Sequence, residues 1–442
     1  MNRKVIKRVH SKTISMLVIV YNKILRVSVA VNCDNDIFIT VEQALIRMTN
    51  AVRSIAQVEN VSLEAALARP LAETICSPIN VPPYDNSAMD GYALNLSTES
   101  TNTRYQVVSQ ILAGRPCDIK IKSGECARIM TGGKIPAGCN AVIMQENVRQ
   151  IGDSHIELTK AVQLGDNIRK CGDDIGEGQT IFTLGRKLSA IDIGCLASLG
   201  LTHVRVFKRL TIGIFTTGDE LAQPGEKLQA GQIYDSNRPM LKALLNQAGF
   251  DVVDAGVIQD EKEAIKSRIK KLSETCDAII TCGGVSVGVA DYTGKAFSEL
   301  GEIDFWKVAM KPGKPFAFGK INHQHKTVIL FGLPGNPVSS AVTFEILTLP
   351  MLRLMSGQQA QSTNTLYLPT NQTIKKRPGR RDYQRAIIQR NEYGTPVAVT
   401  PFAKQSSGVL SELAHADCLI VLEKEQDGVE VDQYVLVLPV AK

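Results

Sequence analysis

The feature that most constrains the fold is a regular alternation of apolar and amphipathic stretches between residues 209 and 357. The apolar runs have the length of buried strands and lie at 210–215, 251–255, 277–282 and 327–331. The stretches with helical periodicity lie at 239–248, 261–274 and 337–351. This alternation predicts an open, mostly parallel α/β sheet, on which ligands bind beyond the carboxyl ends of the strands.

Different patterns flank this segment. Thr40 and Gln43 predict a capping box at the start of a helix, and Ser189 predicts the start of a second helix. Residues 105–165 mix short β-rich runs with glycine-rich turns. After about residue 358 only short strands are expected, which favours a small β-barrel or sandwich. A chain of 442 residues is too long for one ordinary core, so several domains are predicted.

Charge is distributed unevenly along the chain. Residues 1–35 contain seven basic residues against Asp34 alone, whereas the remaining residues are neutral overall. The neutral body argues against a dedicated nucleic-acid binder. We interpret residues 1–35 as a basic extension without predicted order, or as an early start of the chain, rather than as a signal peptide.

Apolar and cysteine patterns narrow the class of protein further. No run of about 18 apolar residues is present, which predicts no membrane-spanning helix. The ten cysteines include no CxxC pair, which is typical of reduced thiols in a cytoplasmic protein. The absence of an HExxH motif argues against a zinc hydrolase.

Five loops with polar or glycine-rich sequences accompany the predicted strands and helices. They are 216–220 (TTGDE), 232–239 (QIYDSNRP), 283–288 (GGVSVG) followed by Asp291, 311–315 (KPGKP) and 333–340 (LPGNPVSS). Taken singly, each of the first four has an ordinary structural explanation, whereas the fifth places a helix N-terminus, which favours anions, at the same crevice. The first two loops could cap helices, the glycines could form a turn, and lysines are usually solvated.

Together these loops indicate a binding site. Three acids (Glu220, Asp260 and Asp291) are expected at the same sheet edge as three lysines (Lys307, Lys311 and Lys314). Carboxylates suit a divalent cation, and lysines and glycine-loop amides suit oxyanions. The combination predicts a phosphorylated ligand bound together with Mg²⁺.

Several long motifs, in series, resemble one known family. They are PYDNSAMDGYA at 83–93, RIMTG at 128–132, the loops at 217–221, 232–238 and 283–288, KPGKP at 311–315 and LPGNP at 333–337. In order and spacing, this sequence resembles the molybdopterin molybdenumtransferases (the MoeA and gephyrin E-domain family) over roughly residues 38–442.

The resemblance implies an activity, a cofactor and partners. The expected reaction inserts molybdenum from molybdate into adenylyl-molybdopterin, with Mg²⁺-dependent release of AMP, to give molybdenum cofactor. A homodimer of elongated subunits with a shared active cleft is expected in the cytoplasm. Contacts with the adenylyltransferase of the preceding step and with apo-molybdoenzymes are also expected.

The resemblance also divides the chain into domains. The expected parts are a basic extension (1–35), an elongated N-terminal domain (36–84 with 166–208), an inserted β-rich domain (85–165), the central α/β molybdopterin-binding domain (209–357) and a C-terminal small β-barrel (358–442).

The resemblance assigns roles to individual residues. Expected molybdate contacts are Lys311, Lys314, Pro315, Ser407 and an arginine, with Arg385 favoured over Arg380. Lys307 corresponds to an active-site lysine, and Glu220, Asp260 and Asp291 would hold Mg²⁺ or orient the hydrolytic water. Asp90, Thr131 and Asp174 would be contributed from the partner's side of the cleft. The expected pterin-substrate contacts are Thr217, Gly218, Asp235, Ser236, Asn237, Gly283, Gly284, Ser286, Gly288, Pro334, Gly335 and Asn336.

Some positions depart from the family pattern, and two other functions are compatible with this fold. Cys171 stands where a basic residue is commoner, and residues 404–406 read KQS where HQG is expected. A molybdopterin adenylyltransferase uses a similar α/β domain but needs only that domain. A non-catalytic scaffold would not require the complete set of acids and lysines. Molybdate and tungstate are near-identical tetrahedra, so the sequence does not select between them.

Overall fold

A capping box begins the first described helix, Val41–Ala51. Thr40 Oγ1 accepts a hydrogen bond from the Gln43 amide, and the Gln43 side chain accepts one from the Thr40 amide, as predicted. Buried Met48 on this helix packs into the main hydrophobic core. The computed structural model describes residues 38–54, 57–97, 102–115, 118–284, 292–323, 326–359 and 365–440, without the side chains of 305 and 306.

The chain forms two units, residues 58–207 and the residues on either side of that segment. Residues 38–57, which the sequence analysis places in the N-terminal domain, are grouped with the unit that contains the α/β sheet. The helix explains this grouping, because its buried face packs against the core of that sheet.

The α/β sheet has six strands. In spatial order these are Asp251–Ile258, Thr211–Thr217, Ala278–Cys282, Lys326–Leu333, Pro315–His323 and Glu302–Lys307. The first four run parallel, and the last two are antiparallel to their neighbours. The predicted open, mostly parallel sheet is confirmed.

Helices cover this sheet, and their ends follow local sequence signals. The helix Asn237–Ala248 ends at Gly249, whose left-handed backbone conformation (φ 92°) suits glycine. The other helices of this domain are Lys262–Thr275, Tyr292–Leu300, and the continuous stretch Pro337–Thr343, Phe344–Thr348 (a π-helical turn) and Leu349–Met355.

One helical segment among the described residues, Pro337–Met355, is long and apolar enough to span a membrane. Its most apolar window is 67% buried inside the protein. Since the core helix of a globular domain has the same properties, this segment is weak support for a membrane span.

A second sheet follows the α/β domain and curls into a small barrel. Its strands are, in order, Leu366–Pro369, Tyr434–Pro439, Cys418–Leu422, Arg381–Arg390 and Pro396–Pro401, with Met310–Lys311 also paired to Arg381–Arg390. A bridge between Thr370 and Val399 brings the last strand back beside the first. The short pair Ile374–Lys375 and Gly428–Val429 lies outside this sheet. The expectation that helices are absent after residue 358 is wrong, because Leu410–His415 is helical.

The unit of residues 58–207 contains a six-stranded sheet, three two-stranded ribbons and one α-helix among its described residues. The sheet strands are, in order, Ala141–Met144, Gly91–Leu94, Glu125–Ile129, Arg104–Ile111, His155–Leu158 and Val148–Ile151. The ribbons pair Val58–Ser62 with His203–Phe207, Ile75–Cys76 with Thr180–Phe182, and Asn86–Ser87 with Ile168–Arg169. Ser189 and Asp192 form the capping box of the helix Ala190–Ser198.

Candidate active site

A cavity of about 620 Å³ opens between the carboxyl ends of the parallel strands and the barrel. Its wall is formed by loops that the sequence analysis singled out. The predicted site residues that line it are Thr217, Gly218, Glu220, Asp260, Gly283, Gly284, Lys311, Lys314, Pro315, Pro334, Gly335, Asn336 and Ser407. The structure therefore brings most of the predicted α/β and barrel residues to one place.

A glycine pair forms one corner of the cavity. Gly283 and Gly284 follow the central strand Ala278–Cys282, and both adopt positive φ angles (92° and 64°). A Cβ atom on Gly283 would lie 2.4 Å from the carbonyl oxygen of Thr217. The backbone can approach the neighbouring strand this closely only because both residues lack side chains.

We expect Gly283→Ala to destabilise the protein by more than the roughly 1 kcal/mol that an unfavourable backbone conformation alone costs. Gly225→Ala is the matched control, because Gly225 also has a positive φ (97°) but a Cβ there would meet nothing within 4 Å. Urea unfolding of both variants measures the difference. Equal loss of stability would show that the contact with Thr217 contributes nothing.

Carboxylates form the acidic wall. Burial, and then the charges of Asp219 and Glu220, raise the pKa of Asp260 above its ordinary range. Asp260 Oδ1 is buried and has no hydrogen-bond partner. The helix that follows, Lys262–Thr275, has Glu261 at its N-cap position and no side-chain cap, so the Asp260 carboxylate is not used there.

This acidic wall fits a magnesium ion. Mg²⁺ in nucleotide-type sites takes one or two carboxylates and completes its shell with water and phosphate oxygens. Glu220 and the unpartnered oxygen of Asp260 supply such a set on the cavity wall. No group of three or more metal-binding side chains occurs among the described residues, so an all-protein metal cage is not formed by them.

The basic wall is the turn between Met310–Lys311 and Pro315–His323. Gly313 has a φ of 106°, and a Cβ there would lie 2.3 Å from Thr343 Oγ1, so the turn sits tightly against the helix behind it. Lys314 Nζ lies 5.0 Å from the centre of the Phe38 ring, a cation–π distance. Lys311 Nζ lies 3.4 Å from Asp382 Oδ2. The turn thus presents two ammonium groups to one cavity.

The loop containing Ser407 is tied to the α/β domain. Asn336 Nδ2 donates to Ser407 Oγ at 3.0 Å, and the Val338 amide donates to the Ser407 carbonyl at 3.1 Å. Because Ser407 Oγ already accepts a hydrogen bond, its own hydroxyl hydrogen is available to an anion in the cavity.

The two candidate arginines occupy different places. Arg380 lines the cavity, whereas Arg385 is only 1% exposed and does not line it. Arg385 donates to the carbonyls of Ser406 and Lys404, so it supports the Ser407 loop from behind. Its Nε atom is nevertheless buried without a partner, and its nearest acid, Glu412, lies 3.9 Å away. A buried guanidinium with so little compensation remains a candidate anion contact.

Three residues predicted to contact the substrate do not line the cavity. Asp235 is 1% exposed and accepts hydrogen bonds from Thr216 Oγ1 and from the Arg238 amide, so it holds the helix start that Ser236 precedes. Asn237 Nδ2 donates to the Gly335 carbonyl at 2.6 Å. Asp235 and Asn237 therefore position the cavity wall, and the capping alternative left open by the sequence explains Asp235.

The remaining predicted residues are not placed in the cavity. Lys307 ends the strand Glu302–Lys307 and does not line the cavity. Ser286, Gly288 and Asp291 lie outside the described residues.

The other predicted catalytic residues belong to the unit of residues 58–207. Asp90 Oδ1 accepts hydrogen bonds from the Thr131 amide (2.7 Å) and hydroxyl (2.8 Å), which hold the pKa of Asp90 below its ordinary range. Asp174 is exposed, and its amide donates to the Val81 carbonyl.

Several residues that line the cavity were not assigned from the sequence: Pro312, Gly313, Ser339, Gln405 and Ser406. Pro312 and Gly313 lie inside a predicted binding motif, so their position could have been inferred. Gln405 binds the backbone of Arg385, 20 residues earlier, through paired side-chain hydrogen bonds. No local sequence signal indicates that pairing.

Comparison with known proteins matches three family models to consecutive parts of the chain. They are the MoeA N-terminal region (domain I and II; residues 39–200), the Probable molybdopterin binding domain (213–354) and the MoeA C-terminal region (domain IV; 367–440). A molybdopterin molybdenumtransferase of Haemophilus influenzae is 39% identical over 402 residues, which is 91% of this chain and 98% of that protein.

This chain belongs to the MoeA family of molybdopterin molybdenumtransferases. The Bacillus subtilis molybdopterin molybdenumtransferase is 32% identical over 90% of this chain and 94% of its own length. The crystal structure of a MoeA protein from Pyrococcus horikoshii, described as a molybdopterin biosynthesis protein, superposes with a TM-score of 0.78 at 27% identity. The superposition covers 91% of this chain and 100% of the Pyrococcus chain, so the MoeA architecture extends over nearly all of this chain.

Proposed function

We propose that this chain inserts molybdenum from molybdate into adenylyl-molybdopterin, with release of AMP. The observation that carries the proposal is one cavity with two walls of opposite charge. Glu220 and Asp260 line one part of it, and Lys311 and Lys314 line another. A phosphorylated, magnesium-bound substrate and an oxyanion can therefore be held next to each other. The names of the relatives in Haemophilus and Bacillus support the same reaction.

The two ligands have distinct hosts in this proposal. The glycine corner of Gly283 and Gly284 and the turn of Pro334 and Gly335 hold the phosphate portion of the pterin substrate. Lys311, Lys314 and Ser407 hold molybdate, because ammonium and hydroxyl groups donate to its oxygens. Glu220 and Asp260, joined by Asp291, would hold Mg²⁺, which when bound neutralises charge on the pyrophosphate.

The reaction balances without an oxidant or reductant. Water adds across the pyrophosphate bond, giving AMP and the pterin phosphate. The two dithiolene sulphurs bind molybdenum, and one molybdate oxygen leaves as water with their two protons. Molybdenum keeps its oxidation state throughout.

We further propose a cytoplasmic homodimer in which Asp90, Thr131 and Asp174 of the second subunit complete the cleft. The hydrogen bonds between Thr131 and Asp90 keep that carboxylate ionised, as a residue acting on a cationic or metal-bound group requires. Adenylyltransferase and apo-molybdoenzymes are the proposed protein partners. Nucleic acids and membranes are not proposed as partners, since the body of the chain is neutral.

An assay of AMP release from adenylyl-molybdopterin, with and without molybdate, tests the proposal. We expect release to depend on both Mg²⁺ and molybdate, with molybdenum cofactor formed in equal amount. Conversion of molybdopterin and ATP into adenylyl-molybdopterin would instead indicate an adenylyltransferase. If the chain has neither of these two activities, it would be a scaffold. Replacing molybdate by tungstate in the same assay measures which oxyanion is preferred.

Separate substitution of the two arginines assigns the guanidinium contact. We expect Arg385→Ala to raise the molybdate concentration needed for half-maximal turnover by about tenfold, roughly 1.4 kcal/mol, because it removes both the candidate guanidinium contact and the support of the Ser407 loop. Arg380→Ala is the comparison variant. Arg380 lines the cavity, whereas Arg385 does not line it but has a buried Nε without a hydrogen-bond partner. A larger effect at Arg380 would transfer the anion contact to that residue.

A further inference from the structure

A buried carboxylate lies directly behind the proposed molybdate lysine. Asp382 is 3% exposed, and its Oδ2 atom lies 3.4 Å from Lys311 Nζ and 3.1 Å from Gln384 Nε2. Lys311 and Asp382 are paired in the parallel ladder between Met310–Lys311 and Arg381–Arg390. The backbone therefore fixes the distance between this acid and the cavity wall.

Asp382 also acts on other buried cations. Burial lowers the pKa values of Lys376 and Arg385, and the negative charge of Asp382 opposes this effect at both groups. The Lys376 ammonium donates hydrogen bonds to the carbonyls of Lys424 and Gln426. The Arg385 guanidinium donates to the carbonyls of Lys404 and Ser406. Within the described residues, Asp382 forms one ion pair, and its partner is Lys311.

Lys311 is shared between this acid and the cavity. Ion-pair hydrogen bonds between an ammonium and a carboxylate are usually about 2.7–2.9 Å long, so the contact at 3.4 Å is a loose one. The Lys311 side chain is 47% exposed and lines the cavity. Its ammonium can therefore donate to a bound anion while Asp382 remains behind it.

Charge decides the effect of this arrangement on a dianion. Asp382 holds Lys311 in place, which favours anion binding. The Asp382 carboxylate also places a negative charge on the far side of the Lys311 ammonium from the oxyanion, and this charge opposes binding. The Asp382 carboxylate and the bound dianion would be separated only by the Lys311 ammonium. At that separation, the repulsion energy between the two is larger than the conformational entropy that is saved by ordering the Lys311 side chain, even at the effective dielectric of a protein surface.

We propose that Asp382 is a positioning and charge-balancing residue that keeps molybdate binding weak enough for molybdenum to leave the lysine turn for the dithiolene. This inference rests on the proposed function, in which Lys311 contacts molybdate. A site made only of cations would hold the dianion longer than transfer requires.

Calorimetric titration of the whole protein with sodium molybdate, without pterin, tests the inference. Asp382→Asn is expected to bind molybdate about tenfold more tightly than the unchanged protein, whereas Asp382→Glu, which keeps the charge, stays within about twofold. In a Lys311→Ala background the effect of Asp382→Asn should shrink, since the shared ammonium is gone. At saturating molybdate, Asp382→Asn should form cofactor more slowly, because molybdenum leaves the site more slowly.

Different results overturn different claims. If Lys311→Ala weakens molybdate binding but Asp382→Asn does not tighten it, Asp382 has a purely structural role and the inference fails. If Lys311→Ala leaves molybdate binding unchanged, the proposed oxyanion site itself fails. Thermal unfolding is measured first for each variant. If Asp382→Asn does not fold, Asp382→Asn combined with Lys376→Gln removes the buried acid together with a buried base, and the same tightening is expected.

Discussion

Asp260→Asn is expected to reduce Mg²⁺-dependent AMP release by on the order of 100-fold, the size of effect seen when one preorganised electrostatic group is removed from a catalytic site. Among the described acids that line the cavity, Asp260 is the one with a buried oxygen that lacks a hydrogen-bond partner. The variant should be at least as stable as the unchanged protein, because burial and two neighbouring acids penalise the charged form of Asp260. AMP release over a magnesium titration and a thermal melt measure the two effects.

The pH dependence follows from the raised pKa of Asp260. Stability should increase as the pH falls through this raised pKa, since the folded protein binds the proton more readily than the unfolded chain. That increase should be absent in Asp260→Asn. Asp219→Asn is the matched control, because it removes a neighbouring charge without removing the proposed ligand. A loss of AMP release as large in Asp219→Asn as in Asp260→Asn would contradict the specific role of Asp260.

Lys314→Ala is expected to raise the molybdate requirement by about ten- to hundredfold, corresponding to the roughly 1.5–3 kcal/mol of one charge-assisted contact. The requirement for adenylyl-molybdopterin should change less, because the glycine corner holds that ligand separately. Turnover should be partly restored by a high molybdate concentration. The measurement is a molybdate titration of cofactor formation at saturating pterin substrate.

Lys320→Ala provides the control for charge alone. Lys320 lies on the strand that follows the lysine turn, but it does not line the cavity. Its Nζ atom lies 3.7 Å from Glu302 Oε2. We expect its substitution to leave the molybdate requirement unchanged. If Lys314→Ala required more pterin substrate but the usual amount of molybdate, the turn would bind the pterin instead.

Local sequence signals predicted much of the fold and most of the cavity. The capping boxes at Thr40 and Ser189 and the left-handed Gly249 were predictable because each depends on residues within four positions. The lysine turn and the glycine corner were predictable because parallel strands place their following loops at one edge.

Contacts between distant parts of the chain could not be predicted in this way. Asp382 pairs with Lys311 across 71 residues, and nothing near either position indicates that partnership. Arg385 and Arg380 are five residues apart, yet strand register in the barrel buries one and leaves the other on the cavity wall. Asp260 resembles a helix cap in sequence, but its backbone position leaves its carboxylate free of the helix.

The most direct test of the central claim is the amount of AMP and of molybdenum cofactor formed by the purified full chain. Adenylyl-molybdopterin and Mg²⁺ are supplied with and without molybdate. We expect AMP and molybdenum cofactor in a ratio of about one to one with molybdate, and little of either without it. AMP release at the same rate without molybdate, and without transfer of molybdenum when molybdate is present, would contradict the claim.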